Sequence, residues 1–496
     1  MSGVSVEYPL SLPLAILAPL LTAMFSFLFR VRGSWLPAAG ALATVAAAAD
    51  LVWRVAAGGP QVHHLGGWQP PLGIELYADG LAVLMVALTA VVGLGVVLYA
   101  GPYLAGKQQP RRLFWPIWMI QWAALNTLFL SADLFNLYVC LELLMLSAVG
   151  LAAFAGDRAS LAAALRYMFL ALLGSLAYLL GVALLYGGTG SLHLREVGEA
   201  LSPGGYASIA AALMTAGLVA KAAIFPLHIW LMPAHSNAPA PVSAVLSALV
   251  AKAAVYLLLR LWLWTFPELM TAAIASLIGA LGGAAILYGS VQALRQARVK
   301  QIIAFSTVAQ LGYLLLLLPL AVSPAAAAFA WQGAAYHVLA HGLAKAACFL
   351  AAGNIIYAMG HDRIDGLRGL SPYLSVSVMA LGVALVSLMG LPPSGGFLAK
   401  WQLLSAAFVS GQWWWVLVVV LGGLLAAGYA FRLLAMALAM PPRGWVEVHP
   451  VRRLPPVMEW VPMVLALAAL ALGLSAVPAL QLLDIGAPVR FTGGAE

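Results

Sequence analysis

About fourteen windows of some twenty apolar residues follow one another along this chain, enough for each to cross a bilayer as a helix. They fall near 8–29, 35–56, 79–101, 112–131, 133–155, 162–186, 208–231, 240–264, 270–292, 302–321, 326–357, 373–408, 414–439 and 459–483. In hydrocarbon a backbone must satisfy its own hydrogen bonds, so such windows can only be helices. The windows at 326–357 and 373–408 exceed one straight span and are expected to be tilted, broken or extended. The chain is 64% hydrophobic and 8% charged, against about 25% charged for a soluble domain. The fold class is therefore an all-α polytopic membrane protein of about fourteen transmembrane helices, embedded in the lipid bilayer. The first window has no basic flank and no small-residue cleavage site, and is expected to be retained as a helix.

The basic residues test this map. Loops after odd-numbered spans hold sixteen: Arg30, Arg32, Lys107, Arg111, Arg112, Arg158, Arg166, Arg295, Arg298, Lys300, Arg363, Arg368, Arg432, Arg443, Arg452 and Arg453. Loops after even-numbered spans and the tail hold four: Arg54, Arg195, Arg260 and Arg490. Cytoplasmic loops carry the excess of Lys and Arg. The odd-numbered loops are thus expected inside and both termini outside. The net charge of +8 is a topology signal. Without a basic patch interleaved with aromatics, nucleic acid is excluded as a partner. Cys140 and Cys348 lie in apolar windows with no second ligand at metal spacing, and read as inert core.

Five charges break the apolar windows. They are Glu142, Lys221, Lys252, Lys345 and Lys400. Each costs roughly 2.5–3.5 kcal/mol at the bilayer centre. The set implies interior groups that face one another along an ion or proton pathway. Apart, Glu142 and Lys221 would each be driven towards the neutral form; together each holds the other charged, which makes a switch. Four lysines face one deep glutamate, so some lack a carboxylate partner, and that suits a relay better than a static core. His337, His341 and Lys345 recur at i, i+4 and i+8 and form one helix stripe. Histidine titrates nearest neutral pH, so the stripe reads as a proton wire that Gln310 and Gln332 could extend. No HExxH glutamate lies between the histidines, and Lys345 would repel a cation, so no metal is expected there.

Two windows are interrupted beside a lysine. One reads Lys221-Ala-Ala-Ile-Phe-Pro226-Leu-His228, the other Gly390-Leu-Pro392-Pro393-Ser-Gly-Gly-Phe-Leu-Ala-Lys400. Proline removes a backbone donor and kinks a helix. Breaks five spans apart suggest two inverted five-helix repeats, although Lys221 precedes its break and Lys400 follows it. The chain then divides into 1–111 (spans one to three), 112–264 (spans four to eight), 270–439 (spans nine to thirteen) and 440–496 (span fourteen and tail). His235, in His235-Ser-Asn-Ala-Pro239-Ala-Pro241-Val-Ser243, sits between spans seven and eight. That run reads either as a stiff polar connector or, with His228, as a place where protons are taken up. Asp79 and Asp133 are expected as N-caps, and Asp50 with Arg54 as an i,i+4 pair. No nucleotide, flavin, haem or iron–sulphur motif is present, so no cofactor is expected.

Asp133-Leu-Phe-Asn-Leu-Tyr-Val-Cys-Leu-Glu142, Lys221-Ala-Ala-Ile-Phe-Pro226-Leu-His228, Ala234-His-Ser-Asn-Ala-Pro-Ala-Pro-Val-Ser243 and Gly390-Leu-Pro-Pro-Ser-Gly-Gly-Phe-Leu-Ala-Lys400 resemble the proton-translocating membrane subunits shared by respiratory complex I and the Mrp-type multisubunit cation/proton antiporters. The resemblance spans residues 70–440 and looks most like the D-type component of the Mrp antiporters. It departs at Met232-Pro233, where the family often has Pro-Asp or a similar polar pair. The chain is expected to lack the lateral helix of the largest antiporter-like subunits.

The resemblance implies a fourteen-helix fold with broken helices seven and twelve. It implies Glu142 and Lys221 as the pair gating one half-channel, Lys252 as the next relay point, the His337/His341/Lys345 stripe beyond it, and Lys400 serving the second half-channel. Partners would be a larger antiporter-like subunit and small hydrophobic subunits, with protons and a monovalent cation such as Na+ carried across a bacterial or archaeal cytoplasmic membrane. Two alternatives stay open: a proton-pumping subunit of a redox complex of the NADH:quinone oxidoreductase or membrane-bound hydrogenase type, and a coupling subunit of an inorganic-carbon uptake complex.

Overall fold

The computed structural model describes residues 10–105, 111–439, 452–488 and 491. Lys107, Arg443, Arg490, the side chain of Arg111 and the boundary drawn at 440 lie outside the described residues.

The chain opens with α1 (Ser11–Leu28) and α2 (Trp35–Gly58), then a hairpin of β1 (Gln61–His64) and β2 (Glu75–Ala78). Next come α3 (Gly80–Ala105), α4 (Arg111–Leu130), α5 (Leu134–Ala152), α6 (Arg158–Thr189) and the short α7 (Leu194–Ala200). α8 (Gly205–Lys221) and α9 (Leu231–Asn237) are the halves of a broken helix. α10 (Ala240–Val245) and α11 (Ala251–Arg260) are joined by a π-helical turn, Leu246–Val250, and a second such turn, Leu261–Thr265, ends that span. α12 (Ala272–Arg295), α13 (Val299–Leu315), α14 (Leu317–Leu320) and the 36-residue α15 (Pro324–Met359) follow. A second broken helix comprises α16 (Ser375–Met389) and α17 (Gly395–Val409). The chain closes with α18 (Trp413–Leu438), α19 (Pro456–Leu474) and α20 (Val477–Asp484).

Among the described residues, twelve helical segments are long and apolar enough to cross a membrane, and the two shorter apolar helices are α8 and α16. Those two are the first halves of the broken spans, which restores fourteen crossings. The window at 326–357 is one continuous helix, whereas 373–408 is broken, as its Gly-Leu-Pro-Pro run requires. Each set of five spans is odd, so a second set built like the first must begin from the opposite face. The broken helix is fourth in both.

Cross-loop bonds fix the same parity as the arginine count. At one face Ala132 N donates to Glu75 O, Leu134 N to Leu192 O, and Gly80 N to Ile485 O. Thr265 Oγ1 donates to Leu194 O there. At the other face Val299 N donates to Asp362 O, Ile364 N to Ala297 O, and Arg432 to the carbonyl of Gln296. Loops after even-numbered spans gather on the first face and loops after odd-numbered spans on the second.

Burial shows which spans are central. The most apolar 18-residue stretch of the Ala240–Thr265 span is 100% buried, against 33% for that of α2 and of α18. α18 instead turns Leu424 and Phe431 outward, as a lipid-facing helix does. Helix pairs close up on small residues: a Cβ on Gly217 would meet Gly174 O at 2.3 Å, and one on Gly312 would meet Gly282 O at 2.3 Å. These contacts pack α6 against α8 and α12 against α13. Asp133 caps α5 by accepting from Asn136 N at 2.6 Å, and Asp79 caps α3 by accepting from Ala82 N at 2.9 Å. Asp50 pairs with Arg54 at 2.7 Å.

Among the described residues, two of those counted as loop cations are buried in the core. Lys300 is buried at the start of α13, where its amine bonds to His235 O at 3.0 Å and Ala238 O at 2.6 Å. Arg260 ends α11, is 5% exposed, and grips Asp79. Their carbonyl and carboxylate partners are distant in the chain, so local hydropathy could not place them.

Candidate functional site

α5 carries Glu142 and α8 ends on Lys221. Their side chains meet, with Lys221 Nζ 3.8 Å from Glu142 Oε1. Lys221 is 6% exposed. It lies in the last turn of its half-helix, where the free carbonyls and the dipole favour a cation. Beyond it the chain leaves the helix at Ala222 to Trp230, around Pro226, and Trp230 Nε1 closes the break by donating to Ala220 O at 3.0 Å. Leu141, Met145, Tyr167, Val250 and Lys221 surround a cavity with about 10 Å³ for a water centre, close to the minimum for one water. His228 sits within the break against Tyr288, ring centroids 5.0 Å apart.

The next lysine sits where the adjoining span departs from α-helical geometry. In a π-turn the backbone bonds shift register and leave carbonyls for other donors. Lys252 Nζ takes Ser247 O from that turn at 2.7 Å and is fully buried. Ser247 Oγ lies 2.8 Å from Thr307 Oγ1. Thr307 donates to Ile303 O at 3.0 Å, so Ser247 is the donor of that pair. Lys345 Nζ bonds to the same Ile303 carbonyl at 2.8 Å and to Ser306 Oγ. Lys252 and Lys345 are thus linked through Ser247, Thr307 and one carbonyl of α13.

The α15 stripe is as its spacing predicts. The His337 and His341 rings stack with centroids 5.6 Å apart, and both residues are buried. Among the described residues neither ring nitrogen of His341 has a hydrogen-bond partner, and His337 meets only the Gln310 backbone, outside good geometry. Lys252, Lys345 and Lys400 all act electrostatically on this pair. Tyr313 lies against His337 with ring centroids 5.3 Å apart, and Lys400 Nζ lies 4.8 Å from the centroid of the same Tyr313 ring.

Lys400 follows its break in sequence, but its side chain reaches back across it. Nζ bonds to Leu388 O at 2.9 Å and Met389 O at 3.1 Å, the last carbonyls of α16. Both broken spans therefore hold an amine at the end of their first half, although the two lysines occupy different sequence positions. Gln310 joins this site by donating to Leu388 O at 3.2 Å. Gln332 does not; it accepts from Gln402 at 3.2 Å. Pro226, Pro392 and Pro393 lie exposed at the two breaks.

His235 is not part of an exposed connector. It is fully buried at the end of α9 and stacks on Phe349 with centroids 4.5 Å apart. Ser247, Ser306, Thr307 and Tyr313 were missed by sequence reasoning, because hydroxyls in apolar helices are common and only the assembled fold brings them to lysines. The i, i+4, i+8 spacing of Lys252, Tyr256 and Arg260 could have been read, since it repeats the spacing of the α15 stripe.

Residues 131–426 match the family described as NADH:quinone oxidoreductase/Mrp antiporter, TM. A NADH-quinone oxidoreductase subunit N of Desulforudis audaxviator is 37% identical over 406 residues, 80% of each chain. The D-type component of a Na+/H+ antiporter of Bacillus subtilis is 30% identical over 432 residues, 86% of each chain. A chain of the Mrp complex from Dietzia sp. superposes with a TM-score of 0.87 at 26% identity, covering 98% of this chain and all of that one.

Proposed function

Because this chain belongs to the NADH:quinone oxidoreductase/Mrp antiporter membrane family, we propose that it is the proton-translocating subunit of a multisubunit cation/proton antiporter, with Na+ as the expected cation. It is a transporter subunit, without chemistry of its own. Its partners would be a larger antiporter-like subunit and small hydrophobic subunits in a bacterial or archaeal cytoplasmic membrane, with the arginine-rich loops inside and both termini outside. Regions 112–264 and 270–439 would each supply one half-channel.

One observation carries the reading. Four buried amines follow one another through the core, one on a carboxylate and three on neutral backbone or hydroxyl oxygens. Protons are taken up near the α8–α9 break, beside His228 and His235. They step along Glu142, Lys221, Lys252, the His337/His341/Lys345 stripe and Lys400. The ring nitrogens of His337 and His341 give bridging waters donors and acceptors between the lysines. Opening and closing of the Glu142–Lys221 pair times the transfer.

The test is proton flux into vesicles holding the assembled complex. Glu142→Gln and Lys221→Ala should each abolish coupled transport while the complex still assembles; normal transport in either variant refutes the mechanism. A second reading is favoured by the 37% identity to a NADH-quinone oxidoreductase subunit. Here the same channel is driven by a redox complex. Mass spectrometry of what co-purifies from native membrane separates the two: small hydrophobic antiporter subunits support the first, flavin or iron–sulphur proteins the second.

A further inference from the structure

On the face away from the arginine-rich loops the chain builds a second polar cluster, which the Glu142-to-Lys400 series does not use. Glu75 on β2 lies between two histidines. His64 Nε2 on β1 is 3.1 Å from one carboxylate oxygen, and His193 Nε2, just before α7, is 3.2 Å from the other. A cavity beside them, with about 20 Å³ for a water centre, is lined by Glu75, Tyr77, His193, Arg195, Tyr256 and Arg260 among others. That is room for about one water.

Arg260 forms the inner wall. Its guanidinium holds Asp79 through two bonds of 2.5 Å, and its Nε donates to the Tyr256 hydroxyl at 3.0 Å. Tyr256 and Lys252 continue inward from it. Lys252, Tyr256 and Arg260 stand one helical turn apart on one face of α11, every residue of which is buried. A file of polar groups therefore runs from the central lysine to a cavity at the protein's edge.

We infer that this cavity is a proton port on the arginine-poor face, with Glu75 and its two histidines as the exchange group and Tyr256 as the relay to Lys252. The inference rests on the proton-translocating function proposed above. The Lys252 ammonium gives its proton to the file, one helical turn from Tyr256. The Tyr256 hydroxyl leaves Phe129 O, to which it donates at 2.7 Å, and passes on its own proton as it accepts the incoming one, so it stays neutral. The Glu75 carboxylate takes the proton and releases it to bulk water. Arg260 cannot give up its charge. Held on Asp79, it fixes the wall of the file without carrying the proton itself.

The charges facing Glu75 come from every neighbouring element. They are His64 from β1, Tyr77 on β2 and Asp79 just beyond it, Asp133 at the start of α5, His193, Arg195 and Glu196 at α7, and Tyr256 and Arg260 from α11. Burial pushes the Glu75 carboxyl up, but hydrogen bonds and charge from His193 and His64 outweigh it and hold the pKa below the usual value. Glu75 thus rests ionised, with one histidine on each carboxylate oxygen.

The test uses the assembled complex in vesicles, with pH varied on the arginine-poor side alone. Glu75→Gln keeps size and hydrogen bonding, Tyr256→Phe removes only a hydroxyl, and His64→Gln perturbs the cluster from the far strand. The first two should each slow proton flux at least tenfold per assembled complex. Glu75→Gln and His64→Gln should also shift or flatten the response to pH on that side. An unchanged rate and profile in Glu75→Gln and Tyr256→Phe overturns the port. So does a slower rate with an unchanged profile in Glu75→Gln, which is what a purely structural role would give. Absence of flux in the wild-type complex would instead overturn the proposed function itself.

Discussion

Asp79→Ala should be among the most damaging single changes outside the lysine series, and the structure says by how much. Asp79 is 1% exposed and Arg260 5% exposed. The carboxylate accepts two bonds of 2.5 Å from the guanidinium and a third, of 2.9 Å, from Ala82 N at the start of α3. Removing one partner of a buried pair costs about 3–5 kcal/mol, because the other charge is left without compensation. Loss of the cap adds about 1 kcal/mol. The expected loss is therefore about 4–6 kcal/mol, a large share of the roughly 5–15 kcal/mol that holds a typical domain together. Asp79→Asn keeps the cap acceptor and one bond to Arg260, and should fall between. Asp79→Ala with Arg260→Met removes the orphaned charge as well, and should recover at least half of the loss. Unfolding of such a chain is irreversible, so the assay is the temperature at which half of the purified complex survives a fixed heating time. Asp79→Ala should lower it by about 5–10 °C. An unchanged temperature in Asp79→Ala, or a double variant worse than the single one, would show that the pair is not the clamp its geometry describes.

Lys400→Arg keeps the positive charge but cannot release a proton; vesicle flux should fall at least tenfold with assembly intact. Gly217→Ala and Gly312→Ala each force a Cβ to within 2.3 Å of a facing carbonyl oxygen. Each should cost about 1–3 kcal/mol by overpacking and lower the yield of assembled complex. Glu75 has its pKa held below the ordinary 4.5, so its contribution to the hairpin is complete above that value and lost as pH falls through the lower, folded pKa. Hydrogen exchange at 61–64 and 75–78, corrected for intrinsic rates, should speed up below about pH 4.5, and Glu75→Gln should remove that dependence.

The spans were legible because hydrocarbon leaves a chain one local solution, and twenty apolar residues signal it without help from neighbours. The breaks were legible because Pro226 and the Pro392-Pro393 pair act on their own helix. What escaped depends on partners distant in the chain. β1 and β2 are four residues each, too short to show a period, and they exist because Glu75 O and Leu76 find residues 131 and 132. Lys300 looked like one more cytoplasmic loop cation, yet its amine is drawn into the fold by two carbonyls some sixty residues away. Lys400 stood on the wrong side of its break for a repeat until its four-carbon stem was seen to reach back to α16. Chain position locates a Cα; for a lysine the chemistry lies several ångströms further on.

The seating of the amines bears on where control of transfer resides. Lys400 rests on the last carbonyls of α16, which have no helical partner because the helix stops there. Lys252 rests on a carbonyl inside a π-turn, and Lys345 on a carbonyl and a hydroxyl of the neighbouring α13. Of Lys221, Lys252, Lys345 and Lys400, only Lys221 has a carboxylate within 4 Å. A neutral oxygen accepts a bond from an ammonium or from a neutral amine, so the three carbonyl-seated lysines keep their places whichever form they hold. A carboxylate does not treat the two alike, since the Coulomb term vanishes when the amine loses its proton. In the proposed pathway three sites are therefore passive steps, and the Glu142–Lys221 pair is the one whose geometry and charge change together. Lengthening that contact with Glu142→Asp should then slow transfer and alter how tightly cation and proton movement are coupled. Ser306→Ala, which removes one seat of Lys345, should lower the rate and leave the coupling ratio as it was. Equal effects on the ratio from both variants would mean that control is spread along the whole series.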